Sequence, residues 1–587
     1  WIKTLLAHTS DEQDPIAAAS DSWNALLQEV GSGTPQARVY RRDDLPEVLR
    51  KRHSPVTAAD DAAIEALRDQ TDFVLGGIRN VIGESVHLRR TAVVSRIVTE
   101  IEDSQVVLVA GEAGGGKSGG AKGAVEELMA SGFAFAFRAE QFAATNLDLA
   151  LSSVHAGLSA RKIRTLLAAH DRKVILIESV ERLLEASNRG AFTDLMTMLS
   201  QDRSWRLILT CRDYSADLVR SSFLESAGMQ HAVVAVPPLG DEELHEVCAG
   251  CPRLLRPLSS GPLRRLLRNP YFLDMAARLT WPDDTPLPGN ERSLRKKFWR
   301  EAIRDDVHAG DGMPRRREQV FVEVALRRAR ALTAFAPCDD LDGVALDRLR
   351  NSSLLRVSPQ TETLAAAAHD VLEDWALLEW IEQQFALAHE SLLTLCSVMG
   401  TYPAIRRTYK GWLEEQVALE PQAADRLFDE AIVGGDLPQH FVDDTLVSIL
   451  RSSRAAELLE RRSDRLFADG NTLLLRILHL LRVGCVTTPS WAGSSPNLAS
   501  IMCIPDGGAW ASILNVVRRH LGQFAASDVA QLLSFVEDWS RGVSWQTPYP
   551  EGAGDAAAIV LDLLPSFDDY RHEEQRKRLL KVLVKIP

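Results

Sequence analysis

The sequence predicts a multidomain chain of the α/β plus α class, in which a parallel sheet is followed by a long helical region. Three observations support this class. Short apolar segments alternate with helical patterns up to about residue 238, which is typical of a parallel sheet covered on both faces. A glycine-rich loop lies between the first of these segments and a helix. After Pro237 and Pro238 the strand signal fades, and short helices broken by Gly, Pro and Asp continue to the end of the chain.

The composition is that of a globular protein. The 587 residues suffice for about three to five domains. The net charge of −13 argues against a protein that coats nucleic acid, so we expect nucleic acid to be involved only indirectly. No apolar run approaches the ~20 residues of a membrane span, and seven cysteines in a chain of this length suit a reducing cytoplasm. Because the chain starts with Trp1 and ends at Pro587 after a helical pattern, we expect a fragment.

Five apolar segments are the predicted strands. The first, at residues 105–110, directly precedes the glycine-rich loop, and the other four are Phe133–Phe137, Val174–Ile177, Leu207–Cys211 and Ala232–Val236. Helical patterns precede or separate them, at Ala59–Leu75, Leu88–Ile101, Ala160–Ala169 and Ala191–Ser200. Further helices follow at Asp241–Val247, Leu263–Leu279, Leu294–Val307 and Arg317–Leu332. Val344–Asn351 followed by two short apolar segments indicates a helix and a β-hairpin, as in a winged helix.

The glycine-rich loop fits G-x-x-x-x-G-K-[ST], the phosphate-binding loop of nucleoside triphosphatases. Its predicted nucleotide-binding residues are Gly111, Glu112, Ala113, Gly114, Gly115, Gly116, Lys117, Ser118 and Gly119. Glycines let backbone N–H groups turn onto phosphate oxygens, and the following helix adds its positive N-terminal end. Lys117 can reach the β- and γ-phosphates of ATP, or the β-phosphate of ADP, and the Ser118 hydroxyl can ligate Mg²⁺.

Polar residues end two further strands at the same predicted edge of the sheet. Glu178 follows Val174–Ile177 and is the predicted second Mg²⁺ ligand, while Glu181 is predicted to polarise the attacking water. Aspartate is the usual residue at the first of these positions, so the glutamate predicts slow hydrolysis. In the next strand, Thr210 is predicted to sense the γ-phosphate and Arg212 to neutralise it.

These segments, in this order, resemble the STAND superfamily of signal-transduction ATPases, which includes NACHT and NB-ARC proteins. The resemblance covers about residues 75–380. It implies that the Leu266–Leu273 segment belongs to a helical lid whose Pro270 packs near the adenine, and that Val86–Arg89 lies near the same base. It also implies that His369, in Ala368-His369-Asp370, contacts the β-phosphate and stabilises an inactive, ADP-bound form.

The resemblance extends to prokaryotic antiviral STAND proteins and implies five regions. These are the tail of a missing upstream effector domain (1–75), a P-loop domain (76–238), a helical lid (239–310), a winged-helix-like domain (311–383) and a truncated helical scaffold (384–587). It further implies that the scaffold binds an unknown protein trigger, that activation produces a homo-oligomer, and that no membrane is involved. Two other functions stay open: an AAA-type remodeller or DNA-linked ATPase, and a helical scaffold in which nucleotide is only structural.

Overall fold

A computed structural model gives the architecture. It describes residues 15–32, 45–52, 58–83, 85–130, 132–167, 172–306, 312–358, 361–419, 422–433, 436–468, 470–487, 503–525, 527–542, 551–567 and 572–586. The two chain ends, Trp1 and Pro587, and the ends of the predicted helices Ala160–Ala169 and Leu294–Val307 lie outside these residues. The chain divides into two compact units, Trp1–Leu372 and Glu373–Pro587.

The first unit is built on a five-stranded parallel sheet. Its strands are β1 (Val106–Gly111), β2 (Phe133–Arg138), β3 (Lys173–Glu178), β4 (Trp205–Arg212) and β5 (His231–Ala235). They pair in the order β2–β3–β4–β1–β5. The register pairs Gly111 with Arg212 and Arg138 with Glu178, so the last residues of four strands lie at one edge. The predicted fold class, with all five strands, is confirmed.

Apolar side chains cover both faces of the sheet. Along β1, Val107 and Val109 belong to one buried cluster, and Val106 and Leu108 belong to the other, as the two-residue period of a strand requires. The helices Thr91–Asp103 and Lys117–Met129 contribute to the cluster of Val107. Here Gly120 permits close packing, because a Cβ atom at that position would lie 2.8 Å from a methyl of Val93.

The helices of the P-loop region alternate with the strands. In chain order they are Pro15–Ser32, Glu47–Arg52, Ala58–Gly76, Thr91–Asp103, Lys117–Met129, Leu147–Ser152, Ala160–Leu166, Arg182–Glu185, Gly190–Gln201 and Ala216–Val219, with tighter or wider turns at Ala139–Phe142, Asp213–Ser215 and Arg220–Glu225. The predicted helix start at Leu88 is wrong. Val86–His87 pairs with Val81–Ile82 as a short hairpin, and the helix begins only at Thr91, after a left-handed residue at Arg90.

Helices and a small sheet complete the first unit. The helical segments are Asp241–Gly250, Pro252–Leu254, Leu255–Ser259, Gly261–Leu266, Pro270–Arg278, Glu291–Phe298, Trp299–Arg304, Met313–Ala331 and Gly343–Asn351. The strands Leu355–Val357 and Leu364–Ala367 form the expected antiparallel hairpin, and Ala336–Pro337 pairs with the second of them. The predicted helix Leu263–Leu279 is interrupted where Asn269 caps the start of Pro270–Arg278.

The second unit is mostly helical. After Asp370–Leu387, in which the unit begins, come Leu392–Met399, Pro403–Leu419, Ala423–Val433, Gln439–Arg451, Ala455–Arg461, Ser463–Leu466, Thr472–Gly484, Ala509–Arg519, Leu521–Gln523, Val529–Trp539, Ser540–Gly542, Ala553–Leu563, Leu564–Phe567 and Glu573–Lys585, with paired strands Val486–Thr487 and Ile504–Pro505. Within the described residues, no helix is both long and apolar enough to cross a membrane. The predicted bounds of the five regions remain predictions.

Candidate functional site

The glycine-rich loop has the backbone of an anion site. It joins β1 to the helix Lys117–Met129, and its Gly114 and Gly116 have φ angles of +74° and +93°. Side chains are strained at such angles, which explains the glycines. The first N–H groups of a helix have no partner within the helix, and that end carries partial positive charge. The loop and the helix start therefore suit phosphate oxygens.

A cavity of about 300 Å³ lies beside this loop. Of the predicted loop residues, those that line it are Ala113, Gly114, Gly116, Lys117, Ser118 and Gly119, whereas Gly111, Glu112 and Gly115 do not. Basic side chains outnumber acidic ones in the lining, with Arg79, Arg90, Lys117, Arg138, Arg212, Arg278 and Arg356 against Glu178, Glu181, Asp274 and Asp370. This excess of positive charge favours an anionic ligand.

Lys117 lies in the cavity. Its Nζ donates a hydrogen bond to the carbonyl oxygen of Glu112, at 2.7 Å. Burial lowers the pKa of Lys117, and the nearby carboxylate of Glu181 acts in the opposite direction. An ammonium in a low-dielectric site gains more from a phosphate partner than an exposed one would. Its position and environment are therefore those expected of a residue that binds phosphate.

The turn after β3 presents its acids to the cavity. Glu178 is buried, lines the cavity, and has an Oε atom 3.9 Å from a guanidinium nitrogen of Arg138. The next residue, Ser179, has a φ of +58°, an uncommon angle for a residue with a side chain, and its backbone N–H donates to Thr210 Oγ1 at 3.0 Å. The strained turn thus depends on the threonine of the neighbouring strand.

Thr210 is placed differently from the expectation that it senses the γ-phosphate directly. Its side chain is fully buried and outside the cavity lining, and its hydroxyl accepts the N–H of Ser179. The threonine side chain is short, and its hydroxyl is hydrogen-bonded to the backbone of Ser179, so it does not line the cavity. The structure therefore gives Thr210 a positioning contact to the turn that carries the acids.

Glu181 and Arg212 lie together on the cavity wall. The Nε atom of Arg212 is 3.7 Å from Oε1 of Glu181. Glu181 is buried, and its Oε2 has no hydrogen-bond partner among the described residues. Burial raises the pKa of Glu181 above its ordinary value, although Arg212 opposes the shift. A carboxylate with a raised pKa and a free oxygen can accept a proton from water.

The segment around Pro270 contacts the loop directly. Asn269 Nδ2 donates to the carbonyl oxygen of Ala113 at 2.8 Å, and the N–H of Tyr271 donates to that of Gly114 at 3.2 Å. Pro270 itself lines the cavity. A Cβ atom at Gly114 would lie only 2.7 Å from the Cβ of Tyr271. The loop glycine is therefore required both by its φ angle and by the closeness of the lid segment.

His369 lies against this lid segment. Its ring stacks on Tyr271 with a centroid distance of 3.7 Å and an angle of 17° between the planes. Its Nδ1 accepts the backbone N–H of Val371 at 3.1 Å. Burial lowers the pKa of His369 to about 4, so the ring is neutral at pH 7 and carries its proton on Nε2. The side chain lines the cavity and can donate one hydrogen bond to an anion.

An ion-pair network that the sequence did not predict joins His369's neighbour to the turn after β3. Arg182 donates to Asp370 Oδ1 at 2.8 Å and lies 3.0 Å from Glu140. Arg328 bonds the same Glu140 at 3.2 Å. Burial alone would raise the pKa of Asp370, but Arg182 and Arg328 hold it well below the usual range. Asp370 is therefore ionised and attached, through Arg182, to the helix that follows Glu178 and Glu181.

The short hairpin ahead of the loop forms another part of the wall. Ile82 and Leu88 line the cavity, whereas Val86, His87 and Arg89, which were also expected near the base, do not. The backbone N–H of Leu88 donates to the carbonyl oxygen of Asn80 at 2.8 Å and fixes this wall. Apolar side chains at this wall suit the flat face of a base.

The donor set fits a nucleotide and Mg²⁺. The excess of cationic side chains in the lining suits a polyphosphate. The hydroxyl of Ser118 and the carboxylate of Glu178 supply the oxygen ligands that Mg²⁺ prefers. No cluster of three His, Cys, Asp or Glu side chains that could hold a metal occurs in the described part of the chain.

Several residues of the site were not predicted from the sequence. Arg138 ends β2 at the same edge of the sheet as Glu178. The rule that polar residues at the ends of parallel strands lie near the loop could therefore have predicted it as well. Arg182 and Asp370 adjoin predicted residues. Arg356 comes from a hairpin far along the chain and could not have been placed without the structure.

The family comparison supports the P-loop core. Residues 84–253 match the model of the family described as Novel STAND NTPase 1. The match covers the glycine-rich loop, all five strands and the acids after β3. It confirms, for this part of the chain, the resemblance to STAND-type P-loop ATPases. No curated protein matches the chain in sequence.

Several solved structures are similar to this chain at low sequence identity. A Walker-type ATPase of Pyrococcus abyssi is 14% identical with a TM-score of 0.28, over 51% of this chain and 99% of that one. The ORC2 protein of Aeropyrum pernix, with ADPNP and ADP, is 14% identical with a TM-score of 0.25, over 52% and 96%. Drosophila ORC bound to AT-rich DNA and Cdc6 is 11% identical with a TM-score of 0.23, over 94% and 95%.

Proposed function

We propose that this chain, whose core is a STAND-type P-loop NTPase domain, is a switch that binds ATP, hydrolyses it slowly and holds ADP in a closed state. One observation carries the proposal. The loop contacts the lid segment through Gly114 and Tyr271, and Tyr271 stacks on His369, which lines the same cavity. A nucleotide in the cavity would therefore touch elements that lie more than 250 residues apart in the chain.

Different residues of the cavity bind the nucleotide and take part in its hydrolysis. Lys117 and the loop N–H groups bind the phosphates, and Arg212 neutralises negative charge that develops on the γ-phosphate. Glu181 accepts a proton from the attacking water through its free Oε2. Glu178 and Ser118 would hold Mg²⁺, which when bound neutralises charge on the β- and γ-oxygens. Glu178 reaches one methylene further than the usual aspartate, which supports slow turnover.

His369 and Asp370 favour the closed state. The neutral His369 ring would donate from Nε2 to the β-phosphate of ADP, while its stack on Tyr271 holds the lid segment. Arg182 attaches Asp370 to the helix after Glu181, so the acids and the histidine move together. Exchange of ADP for ATP would shift the population toward an open state, because the two nucleotides differ in their contacts.

The wider role is also proposed from the family resemblance. The open state would assemble into a homo-oligomer after a protein trigger binds the helical second unit, and an upstream effector would then act. A role in prokaryotic antiviral defence, in the cytoplasm, is part of this proposal. All seven cysteines are free thiols, which suits a reducing compartment.

A charge-removing substitution tests the switch. Glu178→Gln keeps the size of the side chain, so ATP should still bind while hydrolysis falls below one-hundredth of the parent rate, since the Mg²⁺ ligand loses its charge. Phosphate release measures hydrolysis, and light scattering measures the mass with ATP. The variant should retain ATP and form larger assemblies than it does with ADP.

Matched variants distinguish a specific effect on hydrolysis from a general loss of activity. Glu181→Gln should also slow hydrolysis, because the proton acceptor is lost, whereas Glu127→Gln, exposed on the helix after the loop, should leave it unchanged. If both Glu178→Gln and Glu181→Gln release phosphate at the parent rate, the proposed catalytic residues are wrong. If no variant changes mass between ATP and ADP, the nucleotide is structural and the chain is a scaffold.

A further inference from the structure

Arg356 lines the cavity beside the glycine-rich loop, and the proposed switch assigns no role to it. It lies in the hairpin formed by Leu355–Val357 and Leu364–Ala367 (the lid hairpin). Its Cζ lies 5.6 Å from the centroid of the Phe335 ring, and a Cβ atom at Gly77 would be 3.5 Å from its Nη1. The guanidinium is therefore held between an aromatic ring and a glycine at the end of a helix, in a fixed place.

The guanidinium lacks an acidic partner of its own. Its Nε is buried and has no hydrogen-bond partner in the described residues, and the same part of the chain provides it with no ion pair. Burial, together with the like charges of Arg138 and Arg328, lowers the pKa of Arg356 to about 9. A buried cation among other cations is costly unless an anion joins it.

The surroundings indicate which part of a nucleotide Arg356 would meet. The acids with the largest electrostatic effect on it are Asp370 and Glu178. Glu178 is a predicted Mg²⁺ ligand, and the ion, if held there, would neutralise charge on the terminal phosphates of a triphosphate. Arg138, whose own Nε is also buried without a partner among the described residues, lies beside Glu178. Arg356 and Arg138 therefore share the cavity lining with Glu178, so a terminal phosphate near Glu178 would meet their positive charge.

Resting on the proposed function, we propose that Arg356 binds the γ-phosphate of a nucleoside triphosphate, so that the lid hairpin distinguishes ATP from ADP. With a triphosphate bound, the guanidinium gains a charged hydrogen-bond partner. With a diphosphate bound, it stays unpaired. The pairing adds a contact that the triphosphate alone can make. The hairpin region would then have a different partner in each state: the γ-phosphate through Arg356 with ATP, and the β-phosphate through His369, which follows the hairpin, with ADP.

Paired affinities test this assignment. For Arg356→Gln, the affinity for the non-hydrolysable AMP-PNP with Mg²⁺ should fall about 10- to 100-fold, and that for ADP should change less than about threefold. Isothermal titration calorimetry on the full chain gives both. Arg356→Lys keeps a charge and should retain more AMP-PNP affinity than the glutamine variant. Arg348→Ala, exposed on the helix Gly343–Asn351, is the control and should bind both as the parent does.

The melting temperature without nucleotide distinguishes a role of Arg356 in nucleotide recognition from a role in stability. Because Arg356→Gln removes a buried, unpaired charge, its melting temperature should equal or exceed that of the parent. A lower melting temperature with equal loss of both nucleotides would overturn the assignment, as would unchanged affinities. Lys117→Ala is measured alongside. If it also binds both nucleotides as the parent does, the phosphate site and the proposed function fail together; if it loses both while Arg356→Gln loses neither, only the γ-phosphate assignment fails.

Discussion

Replacing His369 by alanine should weaken ADP binding more than ATP binding. The substitution removes an Nε2 donor in the cavity and the stack on Tyr271 at 3.7 Å. A hydrogen bond to a charged group contributes about 1.5–3 kcal/mol, and an aromatic pair about 0.5–1.5 kcal/mol. Water restores part of the lost hydrogen bond. We therefore expect the loss of binding free energy to be about 1–2 kcal/mol larger for ADP than for ATP, which is about 5- to 30-fold in affinity.

Calorimetric titration with ADP and with AMP-PNP measures this difference at pH 7.5, where the His369 ring is neutral. The same shift should let the ADP-treated variant form larger assemblies in size-exclusion chromatography, because the closed state loses its contact. His245→Ala is the control, since that histidine is exposed on the helix Asp241–Gly250 of the same unit. Parental ADP affinity in His369→Ala, or equal loss of both nucleotides, would refute the reasoning and leave His369 as a packing residue.

Two further predictions come from the loop and from the histidine. Gly114→Ala should lower the free energy of unfolding by about 1–3 kcal/mol more than Gly228→Ala, as measured by chemical denaturation. Both glycines have a positive φ, but only at Gly114 would a new Cβ lie within 2.7 Å of Tyr271. The pKa of His369 falls from 6.5 unfolded to about 4 folded, so the unfolded chain binds the extra proton between these values and stability is lost as the pH falls. From pH 7.5 to 5 the parent should therefore lose about 2 kcal/mol more than His369→Gln, and an equal loss would contradict the buried neutral ring.

Much of the fold was readable because buried parallel strands have a strong sequence signal. Val106–Gly111 and Lys173–Glu178 are almost wholly apolar until their last residues, and the glycine-rich loop fixes which strand comes first. The acids were predicted for the same reason: parallel strands end at one edge, so polar residues there lie near the loop.

The rest depends on contacts that no local pattern records. The left-handed turn at Ser179 directs its N–H to Thr210, which removes that threonine from the cavity. Arg356 reaches the cavity only because a hairpin packs near the sheet edge, and a single arginine in an apolar strand gives no hint of it. The pair of Arg182 and Asp370 joins residues 188 positions apart, beyond any spacing rule.

Binding of ADP by the purified chain, compared with that of Lys117→Ala, tests the central claim most directly. Calorimetric titration should give one saturable site per chain in the parent. Loss of the ammonium should weaken it about 10- to 1000-fold, or about 1.4–4 kcal/mol, while the melting temperature without nucleotide stays near that of the parent. Lys296→Ala, an exposed lysine on the helix Glu291–Phe298, should bind like the parent. No saturable binding in the parent, or parental affinity in a folded Lys117→Ala, would contradict the account.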